Sequence, residues 1–375
     1  MQLNFKFPVH FLLALSLISN FYASAQARKK PVVIGYVGGY RGLVHTDSID
    51  AQKLTHINYA FVDVKDSLAW LHNEATDTIN FRKLNELKAI NPDLKILISI
   101  GGWTWSKTFS DAILTDTLRN DFAYSASQIV QHYNLDGVDI DWEYPGLRGD
   151  NNSFRPEDKQ NYTLMFKAIR NSLDSLQSLT GKKYLVSTAV GGFYDFIAHT
   201  EMDKAQEYLD FVNIMSYDFK TEADTLTGHH TNLYSATQAS GEQSGDRSVR
   251  EFIAAGVPAS KIVLGIAFYG RGFKVESDDN HGLYEKILGT QRGGGFTRLK
   301  DSVINMKGYK RHWDKKASAP YLFNKDSKVF ITYDDEKSVK LKCKYVKKNE
   351  LAGVMFWEYF SDPKGYLLNR IARTF

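Results

Sequence analysis

Three acidic residues at alternating positions occur in the stretch Leu135–Pro145, which reads LDGVDIDWEYP. Asp139, Asp141 and Glu143 are each separated by one apolar residue. In an extended strand alternate side chains share a face, so the three carboxylates are expected on one side, about 7 Å apart from one to the next. The apolar residues between them take the opposite face. This spacing predicts a line of acids at the end of a buried strand.

Such a line of acids favours proton-transfer chemistry. Ionising three buried carboxylates together is unfavourable, so at least one proton is shared or retained and the apparent pKa of the group rises. A carboxyl group kept protonated near neutral pH can act as a general acid. Glu143 is the last of the three and follows the strand, so it is the candidate acid.

A metal site and a solvated strand end are the two other interpretations of the acids. A calcium loop of the EF-hand type needs glycine at its sixth position, where Tyr144 stands. No H-E-x-x-H motif is present, and His229 and His230 are adjacent rather than spaced along a helix face. A solvated acidic strand end is not expected, because the residues that flank the acids are apolar. We therefore expect catalysis, with no metal and no cofactor.

Eight short apolar, β-branched strings recur along the chain, as expected for strands buried on both faces of a parallel sheet. They are Val32–Val37, Leu54–Val64, Leu94–Ile100, Leu135–Trp142, Tyr184–Val190, Phe211–Tyr217, Ile262–Tyr269 and Gly353–Tyr359. Helical patterns fall between or after them, at Phe81–Ile90, Leu118–Tyr133, Glu157–Leu179, Met202–Leu209, Ser248–Ala255, Glu336–Lys348 and Gly365–Phe375. This alternation predicts an α/β fold, a (β/α)8 TIM barrel. A doubly wound open sheet is the alternative.

One connection is much longer than a crossover requires. More than 80 residues separate Tyr269 from Gly353, and they include Gly-rich and aromatic pieces. We expect a small α+β insertion domain, residues 271–333, between strands seven and eight. The catalytic barrel then consists of residues 26–270 and 334–375.

The N-terminus has the pattern of an export signal. Residues 1–25 carry one lysine, Lys6, then a short apolar core, Phe11–Ile18, and end in Ala23-Ser24-Ala25. The apolar core is too short to span a bilayer, which needs about 20 residues. We expect a cleavable signal peptide with cleavage near Ala25, a secreted or periplasmic protein, and no stable membrane anchor.

Charge and cysteine content limit the classes of partner. The 375 residues carry a formal net charge of +4, and no dense run of lysine or arginine is present, so a nucleic-acid partner is not expected. The one cysteine, Cys343, excludes a disulfide framework, and its helical surroundings predict a buried structural thiol. We expect a monomer.

The acidic stretch resembles a family motif. Asp136–Glu143 matches the D-G-x-D-x-D-x-E motif of glycoside hydrolase family 18, the chitinases. Four further blocks are similar to family blocks in the same order, namely Ser99–Trp103 (S-x-G-G), Met215–Asp218 (M-x-Y-D), Phe268–Gly272 (Y-G-R-G) and Gly353–Glu358 (G-x-x-x-W). The resemblance extends from about Val32 to Trp357. The long connection after strand seven also resembles the insertion domain of chitinases with a deep cleft.

The resemblance implies a retaining, substrate-assisted mechanism, in which the N-acetyl carbonyl of the sugar is the nucleophile. Glu143 would be the general acid and base. Asp141 would orient the N-acetyl group and stabilise the oxazolinium-like intermediate, and Asp139 would exchange a proton with Asp141. Tyr217 would hydrogen-bond the attacking carbonyl, and Asp218 would contact the substrate nearby.

The resemblance also implies further substrate contacts. Trp357 resembles the aromatic floor of the −1 subsite. The other expected substrate-binding residues are Trp103, Tyr144, Tyr269, Arg271, Tyr36 and Phe61. Family members carry cis peptides before non-proline residues, and the matching bonds here are Ala60-Phe61, Glu143-Tyr144 and Trp357-Glu358.

The implied function is hydrolysis of β-1,4 linkages in chitin or N-acetylglucosamine oligosaccharides. Two alternatives stay open. The same chemistry could act on glycoprotein glycans or peptidoglycan, as an endo-β-N-acetylglucosaminidase or peptidoglycan hydrolase. A chitinase-like lectin would bind without cleavage, although such relatives typically lack the acid that Glu143 supplies here.

Overall fold

The computed structural model describes residues 1–2, 30–236 and 242–375. The chain divides into a short unit, Met1–Lys30, and a second unit, Pro31–Phe375, which contains every element described below. The expected signal peptide lies outside the described residues apart from its first two positions. No helix of the described residues is long and apolar enough to cross a membrane.

Eight parallel strands close into a barrel, since the first strand pairs with both the second and the last. The strands in chain order are β1 (Val32–Gly38), β2 (His56–Lys65), β3 (Leu68–Trp70), β4 (Lys95–Gly101), β5 (Gly137–Asp141), β6 (Leu185–Gly191), β7 (Phe211–Met215), β8 (Ile262–Ala267), β9 (Tyr269–Val275), β10 (Ile287–Gly295), β11 (Tyr309–Asp314), β12 (Ala319–Asn324), β13 (Val329–Tyr333) and β14 (Gly353–Trp357). The barrel order is β1-β2-β4-β5-β6-β7-β8-β14, and β3 forms an antiparallel hairpin with β2. The predicted barrel is confirmed, and each of the eight expected strings overlaps one of its strands.

The α-helices of the described residues lie mostly on the outside of the barrel, whereas the helix that follows β10 contacts β9 and β10. They are α1 (Glu74–Glu86), α2 (Phe109–Ala112), α3 (Asp116–His132), α4 (Asp158–Thr180), α5 (Tyr194–Ala198), α6 (Met202–Ala205), α7 (Gly245–Ala254), α8 (Phe296–Ser302), α9 (Glu336–Lys348) and α10 (Tyr366–Ala372). The connection from β1 to β2 contains only short 3-10 turns, and α10 contacts one of them, Ala51–Lys53. The C-terminal helix thereby covers part of the barrel that lacks its own helix.

The interior of the barrel is divided into an apolar and a polar part. Ile34, Val263 and Met355 belong to a small interior cluster. Buried polar side chains share the same space at the level of Asp139. Outward-facing residues such as Ile140 and Trp142 belong instead to the large core between strands and helices. Because strand residues alternate, every acid of β5 faces inward while its apolar neighbours hold the helices.

A second sheet lies in the long connection before β14. Its order is β10-β9-β13-β12-β11, and its pairings are antiparallel. Helix α8 follows β10 directly. The expected strand Ile262–Tyr269 is in fact two strands, because β8 ends at Ala267 and Tyr269 already belongs to the second sheet. The division of the chain at residues 271 and 333 stays a prediction.

Helix α1 begins seven residues before the predicted start at Phe81. Asn73 caps it by accepting a hydrogen bond from the amide of Thr76. Its buried side chains include Asp77 and Asn80, which bond to Tyr59 and to the chain near Val44. Because these buried residues are polar, hydrophobic periodicity did not reveal the first two turns. The expected buried position of Cys343 is confirmed.

Candidate active site

Asp139 is the deepest of the three acids and is fully buried. Its Oδ2 accepts hydrogen bonds from Tyr36 (2.9 Å) and Ser99 (2.8 Å), and its Oδ1 accepts from Ser187 (2.6 Å) and Asn213 Nδ2 (3.2 Å). Burial raises the pKa of Asp139, and these four donors work in the opposite direction. The carboxylate is held in one orientation by four different barrel strands.

Asp141 ends β5 and lies between the other two acids. It is buried, and its Oδ1 has no hydrogen-bond partner among the described residues. Burial, followed by the charges of Glu143 and Asp139, raises its pKa well above the ordinary value. A buried oxygen without a donor is unfavourable unless a ligand or water supplies one. Asp141 therefore presents an open acceptor position inside the barrel mouth.

Glu143 lies two residues beyond the end of β5, at the C-terminal mouth of the barrel. Burial raises its pKa to about 7, the nearby charge of Asp218 adds to this, and a hydrogen bond from Tyr144 partly offsets it. Its backbone amide donates to the hydroxyl of Ser106 at 2.9 Å. The side chain is thus protonated for much of the time at neutral pH, as a general acid requires.

Tyr217 and Asp218 follow β7 at the same mouth. The Tyr217 hydroxyl lies 3.8 Å from the sulfur of Met355. Asp218 Oδ1 accepts from Tyr269 (2.7 Å) and Arg271 Nε (2.6 Å), with His230 Nδ1 at 3.4 Å. Burial alone would raise the pKa of Asp218, but Arg271 and His230 outweigh it and hold the pKa well below its usual range. Asp218 stays ionised where Glu143 is protonated.

An aromatic cluster forms the opposite part of the site. Trp357 stacks on Phe61, with ring centroids 5.4 Å apart and planes 18° apart, and Tyr36 lies at a tilt 5.9 Å from Trp357. Tyr40 is parallel to both Trp357 and Phe61, at 6.3 and 6.4 Å. The expected cis peptides at Ala60-Phe61, Glu143-Tyr144 and Trp357-Glu358 are all present.

Trp103 and Tyr144 connect the acids to the outer rim. Trp103 is 51% exposed, and its ring packs edge-on against Tyr144 at 6.3 Å. Tyr144 packs in turn against Phe193. Trp105 instead stacks on His72, at 4.8 Å. An exposed tryptophan beside the acids provides a flat surface for a ring-shaped ligand.

The structure brings together all twelve residues expected at the site, with each joined to another by a described contact or electrostatic interaction. His229 and His230 are both buried. His230 belongs to the site through Asp218, whereas His229 Nε2 contacts Asp314 of the second sheet at 3.2 Å.

Sequence reasoning missed several residues with direct contacts to the expected set, and four of them contact the acids or Trp357. Asn213 and Ser187 donate to Asp139, Tyr40 stacks on Trp357, and Ser106 binds the amide of Glu143. Ser187 and Asn213 occupy inward positions in predicted strings, so polar residues inside apolar strands were the available signal. Tyr40 and Ser106 lie in loops, where no periodicity marks them.

The acids do not form a metal site of the usual kind. Across residues 1–2, 30–236 and 242–375, no group of three or more His, Cys, Asp or Glu is placed to hold a metal ion. The arrangement can instead donate a proton from Glu143, accept a hydrogen bond at Asp141 and stabilise positive charge with the carboxylates beneath.

Comparison with known proteins gives a consistent result. The family model described as "Glycosyl hydrolases family 18" matches residues 32–362. Chitinase A1 of Niallia circulans is 36% identical over 438 aligned positions, which cover 98% of this chain and 63% of the relative. Chitotriosidase-1 of Mus musculus is 32% identical, with 86% of this chain and 70% of the relative covered.

Among solved structures, a "novel glycoside hydrolase family 18 N-acetylglucosaminidase" of Paenibacillus barengoltzii has a TM-score of 0.86 and 43% identity. The match covers 92% of this chain and all of that one. The chain therefore spans less than two thirds of Chitinase A1 but the whole of this structural neighbour.

Proposed function

The chain belongs to family 18 of the glycosyl hydrolases, and on that premise we propose that it hydrolyses β-1,4 linkages between N-acetylglucosamine units in chitin or its oligosaccharides. The observation that carries the proposal is the buried Oδ1 of Asp141, which has no hydrogen-bond partner among the residues that the structure describes, beside Glu143, whose pKa is raised to about 7. An acceptor for an amide N–H and a proton donor for a glycosidic oxygen stand next to each other.

The first step breaks the glycosidic bond. Glu143 gives its proton to the leaving oxygen while the carbonyl oxygen of the substrate's own N-acetyl group bonds to the anomeric carbon, as is general for this family. The N–H of that group donates to Asp141, and Tyr217 donates to the carbonyl. Asp141 and Asp139 offset the positive charge of the ring that forms.

The second step restores the enzyme. Glu143, now a carboxylate, takes a proton from water as the oxygen of that water bonds to the anomeric carbon. The bond from the carbonyl oxygen to this carbon breaks, and the sugar leaves with its configuration retained. One residue serves as acid and then as base, so no second carboxylate nucleophile is needed.

We assign the aromatic cluster to sugar binding. Trp357, Phe61 and Tyr36 would line the subsite before the cleaved bond, and Trp103 with Tyr144 would extend the surface along the chain of sugars. Tyr269 and Arg271 hold Asp218, so their effect on the substrate would pass partly through that carboxylate.

The test is product formation from a reduced N-acetylglucosamine hexamer by the wild type and by Glu143→Gln. We expect chitobiose-type products from the wild type and a loss of about 10²–10⁴-fold or more in the variant, because one residue is both acid and base. Equal activity in both proteins would overturn the role of Glu143.

A second candidate is the release of single N-acetylglucosamine units. It is favoured by the P. barengoltzii structure, which is titled an N-acetylglucosaminidase and matches over its whole length. The same hexamer experiment separates the two, since monosaccharide as the first product would indicate this activity. A high-mannose glycoprotein and peptidoglycan as parallel substrates test the remaining hydrolases, and tight binding without turnover would indicate a lectin.

We also propose that the protein is exported, to the periplasm or the medium, with cleavage near Ala25. The support is the leader pattern of residues 1–25. N-terminal sequencing of protein recovered from periplasmic and culture fractions tests this. An intact Met1 on protein confined to the cytoplasm would contradict it.

A further inference from the structure

Ser106 is a fully buried serine in the turn that follows β4. Its hydroxyl lies 2.8 Å from the carbonyl oxygen of Gly102 and 3.1 Å from that of Asp141, and it accepts from the amide of Glu143 at 2.9 Å. One hydroxyl therefore bridges the turn after β4 and the residues at and beyond the end of β5. Its burial means that water cannot easily replace these bonds.

In the part of the chain that the structure describes, the backbone of Glu143 is not paired with a neighbouring strand of the barrel. The pairing of β5 with β4 and with β6 ends at Asp141. On the other side of Glu143, Gly149 packs so closely that a Cβ there would come within 2.2 Å of the Glu143 carbonyl oxygen. The hydrogen bond from the Glu143 amide to Ser106 and this close packing restrain the backbone here, in place of the hydrogen bonds between strands.

The turn that carries Ser106 is itself docked on β5. The amide of Gly102 donates to the carbonyl oxygen of Asp141 at 2.6 Å. A Cβ on Gly101 would lie 2.3 Å from that same oxygen, and both glycines have positive φ angles, 109° and 78°. Because the turn cannot move away without breaking the Asp141 contact, Ser106 is a fixed point for the residues after it.

We propose that Ser106 is a positioning residue for the general acid: its hydroxyl holds the Glu143 amide, and thereby the direction in which the Glu143 side chain leaves the backbone, without contact with the substrate. This inference rests on the proposed hydrolytic function. Displacement of a catalytic group by about 1 Å can lower a rate by about 10²-fold.

The experiment compares Ser106→Ala with Ser110→Ala. Ser110 is a matched control because it is also fully buried, lies four residues further along, and loses one side-chain bond, to Asp158 at 2.5 Å. Its hydroxyl has no described bond to Asp141 or Glu143. Both variants leave buried groups unpaired and should be similarly destabilised, so stability alone does not separate them.

Two measurements separate positioning from a general loss of stability. For Ser106→Ala we expect kcat on the chitin hexamer to fall by about 10- to 100-fold with KM within about threefold of wild type. We also expect faster hydrogen exchange at the Glu143 amide. Ser110→Ala should show neither effect. If Ser106→Ala does not fold, Ser106→Cys takes its place, because a thiol is of similar size but a weak acceptor.

A kcat for Ser106→Ala equal to that of wild type or of Ser110→Ala would overturn the inference, as would unchanged exchange at Glu143. If the wild type itself cleaves no N-acetylglucosamine polymer, the proposed function fails. In that case the exchange measurement still decides whether Ser106 holds the Glu143 amide. Failure of the proposed hydrolytic function and failure of the inference about Ser106 therefore give different results.

Discussion

Asp218 and Glu143 carry the same kind of group in one site, but their pKa values are shifted in opposite directions. Asp218 is surrounded by donors, with Arg271 and His230 keeping its pKa low. Glu143 faces mainly burial and negative charge, which raise its pKa to about 7. The groups around each carboxyl, rather than the type of acid, therefore determine which pKa is raised and which is lowered.

The pH dependence of kcat/KM follows from Glu143. The acid must be protonated in the free enzyme, so activity should fall as pH rises through about 7. The negative charge of Asp218 helps to raise the Glu143 pKa. In Asp218→Asn this contribution is lost, so the alkaline limb of the kcat/KM profile, where activity falls as pH rises, should move to lower pH.

Glu222→Gln is the control for this shift. Glu222 also binds Arg271, at 3.0 Å, but it is more exposed and does not contribute to the Glu143 pKa. In Glu222→Gln the pH at which kcat/KM falls on the alkaline side should be the same as in the wild type. An alkaline limb at the same pH in wild type and Asp218→Asn would contradict the electrostatic link, whatever the absolute rates.

At the scale of elements, helix α9 begins with a complete capping box. Asp335 Oδ1 accepts from the amides of Lys337 and Ser338, at 2.9 and 3.0 Å, and the Ser338 hydroxyl accepts from the Asp335 amide. The other oxygen of Asp335 binds Arg311 of the second sheet. One residue thus starts the helix and joins it to that sheet.

We expect Asp335→Ala to lower the free energy of unfolding by about 1–2 kcal/mol, because it removes the cap. Asp335→Asn keeps an oxygen for the cap and loses the charge and the hydrogen bonds toward Arg311, so its effect should be smaller than that of Asp335→Ala, which loses both the cap and these bonds. Urea denaturation measures both. An equal loss in the two variants would show that the charge, not the cap, is the main contribution.

At the scale of the whole molecule, a buried ion pair joins separate parts of the chain. Lys342 Nζ of α9 lies 2.6 Å from Asp334 Oδ2 and 2.7 Å from the hydroxyl of Thr231, and all three side chains are buried. Asp334 also accepts from the amide of Ala267 in β8. The pair therefore connects the barrel, the loop after β7 and the helix that returns the chain to β14.

Removing one member of this pair leaves a buried charge. We expect Lys342→Met to lower the free energy of unfolding by about 3–5 kcal/mol. The double variant Lys342→Met/Asp334→Asn should recover part of this loss. Lys344→Met, at an exposed position of the same helix, is the control and should change stability little. A loss in Lys342→Met no greater than in this control would contradict the assignment.

His56 links stability to pH. Its ring is buried against Phe211, and burial lowers its pKa from 6.5 to about 4. The unfolded chain binds a proton near pH 6.5 that the folded protein does not bind until about pH 4, so this group lowers stability as pH falls between the two values. The full effect is about 3 kcal/mol.

The measurement is the free energy of unfolding between pH 7 and pH 4 for wild type and His56→Asn. The variant should lose less stability over this range than the wild type. His45→Asn, at an exposed position, should follow the wild type. Parallel curves for wild type and His56→Asn would contradict the buried neutral histidine.

The sequence by itself determined the barrel and the acids. Apolar strings of strand length at regular intervals specify buried parallel strands, and the two-residue period of a strand places Asp139, Asp141 and Glu143 on one face without further information. The helix that was misplaced, α1, begins with buried polar residues, which local hydrophobic patterns do not register. The length of the connection before β14 indicated an insertion, but the sequence did not predict that it contains a five-stranded sheet.

The tertiary structure alone decided which groups surround each acid. Asn213 and Ser187 lie 74 and 48 residues from Asp139, Ser106 lies 37 residues from Glu143, and Tyr40 lies 317 residues from Trp357. Such contacts arise because closing the barrel brings strand ends together that are distant in the chain. The pKa values of Glu143 and Asp218 depend on burial and on other neighbours brought together in the same way, namely Asp218 for Glu143, and Arg271 with His230 for Asp218. Spacing therefore suggested Glu143 as the acid, but it could not show which carboxylate stays ionised.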